Sequence, residues 1–204
     1  MPTSIFTSIE KLPPPGVAVP SLAFLFTDIE GSTALWERHA SAMGEAIARH
    51  DALIAAGVAA SGGALIKTTG DGAYAVFPTV GQALAAALAI QRSCTEAVFD
   101  AIGGLRVRMA VHVGPAEQRD EDYFGPTLNR ASRIMGIGHG GQILVSDAAA
   151  AASEAALAAT GLALRRLGTQ PSARPVLAGD HLSTGWSRPR GHVPAVAVAR
   201  CTAA

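Results

Sequence analysis

Two aspartates occupy positions where short apolar runs end, and their side chains could support phosphoryl-transfer chemistry. Asp28 follows the apolar run from Leu22 to Thr27, and Asp71 lies in the turn-like segment 69–72. Hard cations such as Mg²⁺ and Mn²⁺ take carboxylate oxygens and share their remaining positions with substrate phosphates. Either residue alone has an ordinary explanation, Asp28 as a helix N-cap and Asp71 as a turn residue. Together, on strands expected to be neighbours, they predict a metal site.

A helix start follows Asp28 directly and adds an anion-binding feature at the same place. The chain turns from the strand into a helix at Ile29, Gly31, Ser32 and Thr33. Free backbone N–H groups and the helix dipole make such a start favourable for phosphate groups. We therefore predict that these residues contact a triphosphate.

A second group of polar residues lies in segment 125–135, which has a helical pattern. Asn129 and Arg133 are four residues apart and share one face of that helix, whereas Arg130 points elsewhere. An asparagine can hydrogen-bond a ribose, and an arginine can stabilise charge that develops on a phosphorus centre. An Asn–Arg pair at this spacing is common on protein surfaces, so the spacing alone is weak evidence for a site.

Lys67 and Asp122 form a third candidate pair, which is suited to a purine base. Lys67 lies four residues before Asp71, and Asp122 lies seven residues before Asn129. An ammonium group can donate a hydrogen bond to adenine N1, and a carboxylate can accept one from the adenine N6 amino group. The residues by themselves favour an ordinary interpretation, an edge-strand lysine and an aspartate in an acidic loop.

The elements that position these residues are expected in the order β-α-β-β-α-β. Apolar runs mark the strands, helical periodicity marks the helices, and Asp-Gly at 71–72 marks a hairpin. This order is that of a ferredoxin-like α+β fold, whose first and third strands are central neighbours. An additional helix and strand are expected on the C-terminal side. The predicted strands are 22–27, 64–68, 73–77, 105–113 and 142–145, and the predicted helices are 33–60, one from 78 onward, 125–135 and 147–159.

Composition bounds the domain organisation and the class of partner. Residues 1–20 are proline-rich and suit an extended lead-in, 21–168 are predicted to form one folded domain, and 169–204 are predicted to be irregular or disordered. The 16 basic and 16 acidic side chains cancel, so no overall field attracts nucleic acid or an anionic membrane. We expect neither a signal peptide nor a membrane span, and the two cysteines fit a reducing, cytoplasmic setting.

Three segments resemble the signature motifs of the class III adenylyl and guanylyl cyclase catalytic domain. The segment FLFTDIEGSTALWE (24–37) resembles the opening motif, KTTGDGAYAVF (67–77) the metal hairpin, and DYFGPTLNRASRIM (122–135) the transition-state helix. The motifs occur in the family's order and cover about two-thirds of the chain. The resemblance implies a class III nucleotidyl cyclase catalytic domain at 21–168. The short loop at 114–121 resembles the compact bacterial subgroup, which is often fused to regulatory domains, so a regulatory domain or protein is a further expected partner.

The resemblance also implies a role for the metal-site residues and an activity. Asp28 and Asp71, with Ile29 beside them, match the family's ligands for two Mg²⁺ or Mn²⁺ ions per active site. The implied activity is an adenylyl cyclase that converts ATP to cyclic AMP and pyrophosphate as a homodimer. In such a dimer the metal residues of one protomer face the remaining site residues of the other.

Those remaining residues match the family's positions for base and ribose recognition. Lys67 and Asp122 match the purine-selecting pair in its adenine-reading form. Asn129 matches the asparagine that orients the ribose, and Arg133 matches the arginine that stabilises the transition state.

The C-terminal segment departs from the family pattern and leaves alternatives open. After GGQILVS (140–146) only 162–168 resembles a closing strand of the family, and the remainder does not match. One alternative is a guanylyl or unselective cyclase, and another is a non-catalytic nucleotide-binding homologue whose dimer does not close. A cyclic-dinucleotide synthase is disfavoured because its Gly-Gly-Asp-Glu-Phe hairpin is missing from this sequence.

Overall fold

Residues 21–160, 164–170 and 196–201 are described by the computed structural model, and their strands form one mixed sheet and one separate hairpin. The sheet contains seven strands, and the hairpin contains two. The strands are β1 (Leu22–Ile29), β2 (Ala64–Thr68), β3 (Gly72–Phe77), β4 (Val107–Gly114), β5 (Glu117–Arg119), β6 (Asp122–Phe124), β7 (Ile143–Ser146), β8 (Arg165–Gln170) and β9 (Val196–Cys201). The helices are α1 (Ser32–Ala60), α2 (Val80–Glu96), α3 (Pro126–Gly136), α4 (Asp147–Ala152) and α5 (Glu154–Thr160).

The strand order in the sheet is β2-β3-β1-β4-β7-β9-β8. Strands β2, β3, β1 and β4 pair with one another in antiparallel orientation, whereas β7 pairs with β4, and β9 with β7 and β8, in parallel. The predicted β-α-β-β-α-β core is confirmed, and β1 and β3 are central neighbours as expected. The predicted additional helix and strand are also present, as α3 and β7.

Helices cover the two faces of the sheet differently. Leu25, Ile54 and Leu84 belong to one large buried cluster that joins β1 to α1 and α2. On the opposite face α3 packs through Ile134 against Ala110 of β4. Because side chains alternate along a strand, the residues of β1 at even positions, Asp28 among them, point to the face that carries α3. The fold therefore covers one face with long helices and places the candidate residues on the other.

Local sequence features explain where the two long helices begin. Gly31 adopts a left-handed backbone (φ 69°) before α1, which a residue with a side chain adopts only with strain. The hydroxyl of Thr79 accepts a hydrogen bond from the backbone N–H of Gln82 and caps α2. Helix α1 has a kink at His39, whose backbone is not helical. Among the helices of the described residues, none combines the length and the apolar character needed to cross a bilayer.

The C-terminal part of the sheet corrects one sequence-based prediction. The segment 169–204 was expected to be irregular, but β9 lies within it and β8 ends inside it. The backbone of β9 pairs with β7 on one side and with β8 on the other. The remainder of that segment, and the predicted lead-in at 1–20, lie outside the described residues, so the domain boundaries stay a prediction.

Two smaller differences concern local structure. The single helix predicted at 147–159 is divided at Ser153, whose hydroxyl donates a hydrogen bond to the backbone carbonyl of Ala150. A serine that bonds a carbonyl of the preceding turn competes with continuous helix hydrogen bonding. The short loop predicted at 114–121 contains β5 and leads into the β5–β6 hairpin.

Candidate active site

The end of β1 and the β2–β3 hairpin bring Asp28 and Asp71 together. In the antiparallel register Asp28 lies opposite Gly72, and the backbone N–H of Ile29 donates to the carbonyl of Asp71 at 2.9 Å. A Cβ atom at Gly72 would lie 2.6 Å from the carbonyl oxygen of Thr27. Glycine is therefore required there for the hairpin tip to close onto β1, and this closure places the two carboxylates side by side.

Asp28 carries a strong ion pair that the sequence analysis did not anticipate. Arg108 lies opposite it on β4, and its Nε and Nη2 atoms are each 2.6 Å from Asp28 Oδ2. Burial is the largest influence on the pKa of Asp28 and raises it, and the negative charge of Asp71 raises it further. Hydrogen bonding and charge from Arg108, and the charge of His50, lower it, and the net effect is a raised pKa.

The donor set fits a divalent cation that is partly ligated by substrate. Within the residues that the structure describes, no group of three or more His, Cys, Asp or Glu side chains could hold a metal ion alone. Mg²⁺ commonly uses one or two carboxylates and completes its shell with phosphate oxygens and water. Since each carboxylate raises the energy of charge on the other, a cation between Asp28 and Asp71 would relieve their repulsion. Ile29 adjoins both aspartates, because it follows Asp28 in the chain and its backbone N–H donates to the carbonyl of Asp71.

The start of α1 lies against this pair. The Ser32 hydroxyl donates to Asp71 Oδ2 at 2.5 Å, so the helix start is tied to the hairpin tip. Gly31 and Thr33 are exposed, and the first helical hydrogen bond runs from the N–H of Leu35 to the carbonyl of Gly31. The first amides of a helix have no intrahelical acceptor, so they can serve an anion here. Ser32 differs from its neighbours because it is buried and its hydroxyl already has an acceptor.

Lys67 and Asp122, which are 55 residues apart in sequence, meet in the folded chain. Lys67 Nζ lies 3.5 Å from Asp122 Oδ2, and the two side chains are 57% and 31% exposed. Asp122 Oδ1 accepts a hydrogen bond from the Tyr74 hydroxyl and another from the backbone N–H of Tyr123, the latter at 2.8 Å. Asp122 is therefore held by several specific contacts. Two unrelated surface residues, as in the ordinary interpretation, would not need such contacts.

Helix α3 presents Asn129 and Arg133 on its exposed side. Ala131 and Ile134 are buried against the sheet, whereas Asn129 and Arg133 are exposed. The hydroxyl of Thr127 donates to the carbonyl of Pro115 at 2.5 Å and anchors the first turn. The end of α3 is linked to Asp28 through Arg108, whose Nη1 atom donates to the carbonyl of Gly136 at 3.4 Å.

Sequence reasoning missed Arg108 and Tyr74. Arg108 alternates with apolar residues on β4, and strand pairing with Asp28 is the signal that could have found it. Tyr74 lies within an apolar run, where a tyrosine is normally assigned to the core, so only the folded structure identifies its partner. His112 is buried and hydrogen-bonded to Ser146; burial and, to a lesser extent, the charge of Arg130 lower its pKa to about 4.

Comparison with known sequences identifies the family. The sequence model of the family described as "Adenylate and Guanylate cyclase catalytic domain" matches residues 18–166. An uncharacterized protein of Mycobacterium tuberculosis is 34% identical over 142 residues, which cover 69% of this chain and 46% of that protein. The adenylate cyclase of Schizosaccharomyces pombe is 35% identical over 162 residues, which cover 67% of this chain and 9% of that enzyme. The chain spans less than half the length of these curated relatives.

Solved structures agree with the sequence comparison. A Trypanosoma brucei adenylate cyclase studied in its monomeric state has a TM-score of 0.60 and 26% identity, covering 70% of this chain and 80% of that one. The monomeric guanylyl cyclase domain of a fusion protein from Blastocladiella emersonii has a TM-score of 0.64 and 19% identity, covering 67% and 86%. The second likeness is one of fold alone.

The α+β fold is that of a nucleotide cyclase catalytic domain. The chain belongs to the adenylate and guanylate cyclase catalytic domain family. Domains of this family bind a nucleotide substrate, use divalent metal ions and often dimerise.

Proposed function

We propose that this chain is an adenylyl cyclase that converts ATP to 3′,5′-cyclic AMP and pyrophosphate at active sites shared across a homodimer. The observation that carries the proposal is the contact of Lys67 with Asp122, which sets a donor beside an acceptor. Adenine offers the complementary pair, because N1 accepts and the N6 amino group donates. Fungal relatives at about 35% identity are named adenylate cyclases, which supports the same substrate.

Asp28, Asp71 and the backbone of Ile29 would hold the metal ions. When bound, two Mg²⁺ or Mn²⁺ ions would lower the pKa of the ribose 3′-hydroxyl and offset the charge of the triphosphate. The chain itself contributes the start of α1, where the amides of Gly31 and Thr33 would bind phosphate oxygens. Ser32 contributes by fixing the orientation of Asp71, since its hydroxyl donates to Asp71 Oδ2.

The remaining residues would orient the ribose and stabilise the reacting phosphorus. Asn129 would hydrogen-bond the ribose, and Arg133, one helical turn further on, would face the α-phosphate. The 3′-oxygen attacks the α-phosphorus in line, its proton leaves to water, and the bond from the α-phosphorus to the pyrophosphate oxygen breaks. Charge on the non-bridging oxygens then lies close to the guanidinium of Arg133, which lowers the barrier.

The partners and the setting follow from the same proposal. The metal aspartates of one protomer would face Lys67, Asp122, Asn129 and Arg133 of the other, as the family resemblance implies. A cytoplasmic location fits the ATP supply and the buried free thiol of Cys94. A regulatory domain or protein is an additional proposed partner, on the resemblance alone.

Product chromatography tests the function directly. The purified chain is incubated with Mn²⁺ or Mg²⁺ and with ATP or GTP in separate reactions, and we expect the yield of cyclic AMP from ATP to exceed that of cyclic GMP from GTP clearly. Arg133→Ala should remove this activity, whereas Arg130→Ala, an exposed arginine on the same helix, should keep it. Product from GTP alone would contradict the assignment of ATP as the substrate. The absence of product from both nucleotides would contradict the proposed cyclase activity.

A further inference from the structure

Three strands place a row of side chains beneath the proposed base pocket. Tyr74 on β3 lies opposite Lys67 on β2 and opposite Phe26 on β1. Directly opposed residues of antiparallel strands project from the same face of the sheet. Asp122, at the start of β6, reaches the same face and contacts both Lys67 and Tyr74. Asp122 therefore packs on the row formed by Phe26, Tyr74 and Lys67.

Tyr74 has little freedom to move within this row of side chains. It is only 8% exposed, and its ring stacks on that of Phe26 with a centroid distance of 5.1 Å and an interplanar angle of 11°. A phenolic hydroxyl has one proton to donate, and here Asp122 Oδ1 accepts it. The Tyr74 ring cannot shift without losing its stacking on Phe26. Its hydroxyl therefore holds Asp122 Oδ1 in a fixed position.

The position of the carboxylate decides which purine fits. Adenine presents a donor at N6 and an acceptor at N1, whereas guanine presents an acceptor at O6 and a donor at N1. An Asp–Lys pair can also satisfy guanine, but only if the two side chains exchange the base atoms that they face with adenine. Lys67 is long and largely exposed, so it can follow either pattern. Selectivity between the bases then depends on how firmly Asp122 is fixed.

The geometry points to Tyr74 as a positioning residue that sets the base selectivity of this site by fixing Asp122. This inference rests on the proposed function for the identity of the pocket, but it concerns a residue to which the family resemblance gives no role. Tyr74 does not touch the base; it acts through the carboxylate. Without its hydroxyl, Asp122 keeps the Tyr123 N–H and Lys67, and it gains the freedom to turn toward guanine N1.

Tyr74→Phe tests the inference with little risk to the fold, because phenylalanine keeps the stack on Phe26. Both kcat/KM and the equilibrium Kd are measured for ATP and for GTP. We expect the ATP-to-GTP preference to fall about tenfold in both, in line with the loss of one hydrogen bond to a charged group. Tyr123→Phe is the matched control: Tyr123 is buried, its hydroxyl has no partner in the described part of the chain, and the backbone N–H to Asp122 is kept. Its preference should stay at the wild-type value.

A double-variant cycle shows whether Tyr74 acts through Asp122. In an Asp122→Ala background, which removes the acceptor of the Tyr74 hydroxyl, Tyr74→Phe should change the preference no further. An unchanged preference in Tyr74→Phe, or equal changes in both tyrosine variants, would overturn the inference while leaving the cyclase proposal intact. If the wild type binds ATP selectively but does not turn it over, the proposed enzymatic function is wrong. The ratios of Kd for ATP and GTP in the variants would still decide the role of Tyr74. A wild type that binds neither nucleotide would overturn both.

Discussion

Asp28 and Asp71 have different hydrogen-bond partners, and these partners determine which carboxylate oxygen each could offer to a cation. Asp28 Oδ2 accepts from two nitrogens of Arg108, whereas Asp71 Oδ2 accepts from the Ser32 hydroxyl. In both residues the Oδ1 atom is the oxygen without these bonds. Arg108 already orients the half-buried carboxylate of Asp28. This carboxylate would therefore lose little further rotational freedom when a cation binds to it.

Asp28→Asn and Asp71→Asn should each reduce cyclisation more than about a hundredfold, because several kcal/mol of charge stabilisation are lost with one carboxylate. The isosteric amides keep the side-chain volumes. Turnover of ATP with Mn²⁺ measures the loss, and a melting temperature that no longer rises with Mn²⁺ measures it independently of chemistry. Asp100→Asn, an exposed aspartate in a short turn of the chain, is the control and should match wild type. Near-full activity in either active-site variant would remove that aspartate from the metal site.

The raised pKa of Asp28 gives a prediction about stability and pH. Burial is the main cause that lifts this pKa above its usual 3.8, with Asp71 adding to it and Arg108 opposing it. A carboxyl group with a higher pKa in the folded state contributes stability below its unfolded pKa and loses it as pH rises through the folded pKa. Wild type should therefore lose unfolding free energy relative to Asp28→Asn as the pH rises through the acid range from about 4.

Urea unfolding of wild type and Asp28→Asn at a series of pH values measures this difference. Asp100→Asn serves again as the control, since it removes an exposed carboxylate that lies outside the candidate site. A wild type that gains stability relative to Asp28→Asn over the same range would show that Arg108 outweighs burial.

At the scale of elements, strong local signals made the core predictable. The Asp-Gly pair at 71–72 fixed the β2–β3 hairpin, and apolar periodicity located α1 and α2 within a few residues. The positions of Asp28 and Asp71 followed from adjacent strands, because the hairpin tip and the end of β1 share one sheet edge. Their meeting needed no side-chain information.

The elements that escaped prediction are those set by distant contacts. Strand β9 is six residues long and pairs in parallel with β7, from which it is separated by about fifty residues, so no turn signal announces it. Strands β5 and β6 contain three residues each, which is too short for a periodic pattern. Arg108 was missed because its partner comes from strand register, and Tyr74 was missed because its partner Asp122 lies on the separate β5–β6 hairpin.

Removal of β9 should destabilise the domain, contrary to the expectation for an irregular tail. Truncation after residue 170 would expose the backbone N–H and C=O groups of β7 that β9 now pairs, and it would leave β8 without its neighbour. We expect the melting temperature to fall by about 5 °C or more and aggregation to increase. Deletion of only 202–204, beyond β9, is the control. Equal melting temperatures for the two truncations and wild type would show that β9 contributes nothing to stability.

At the scale of the whole molecule, the sheet separates a covered face from a working face. The long helices α1 and α2 bury one face, whereas the face that carries Asp28, Lys67 and Tyr74 is only partly covered, by α3 and the β5–β6 hairpin. Trp36 and Phe124 are large exposed side chains on this chain. A second protomer set against the working face would enclose a nucleotide between the two sheets, which is the arrangement that the family resemblance implies.

The shared-site proposal can be tested by mixing two inactive variants. Asp28→Asn damages the metal half of each composite site, and Arg133→Ala damages the transition-state half, so each homodimer carries one defect in both of its sites. In a heterodimer of the two variants, one site collects both defects and the other collects none. If subunits exchange at random, about half of the dimers are mixed, and an equal mixture should recover roughly a quarter of wild-type activity.

The recovered activity should depend on protein concentration, because dilution dissociates the dimer. Subunit exchange is established separately, with differently labelled protomers, and a mixture of Asp28→Asn with Asp71→Asn is the matched control. Both of those defects lie in the metal half, so each mixed dimer has one defect in each site and should stay inactive. If the Asp28→Asn and Arg133→Ala mixture also stays inactive while exchange occurs, the two halves lie within one protomer, and catalysis at a dimer interface is excluded.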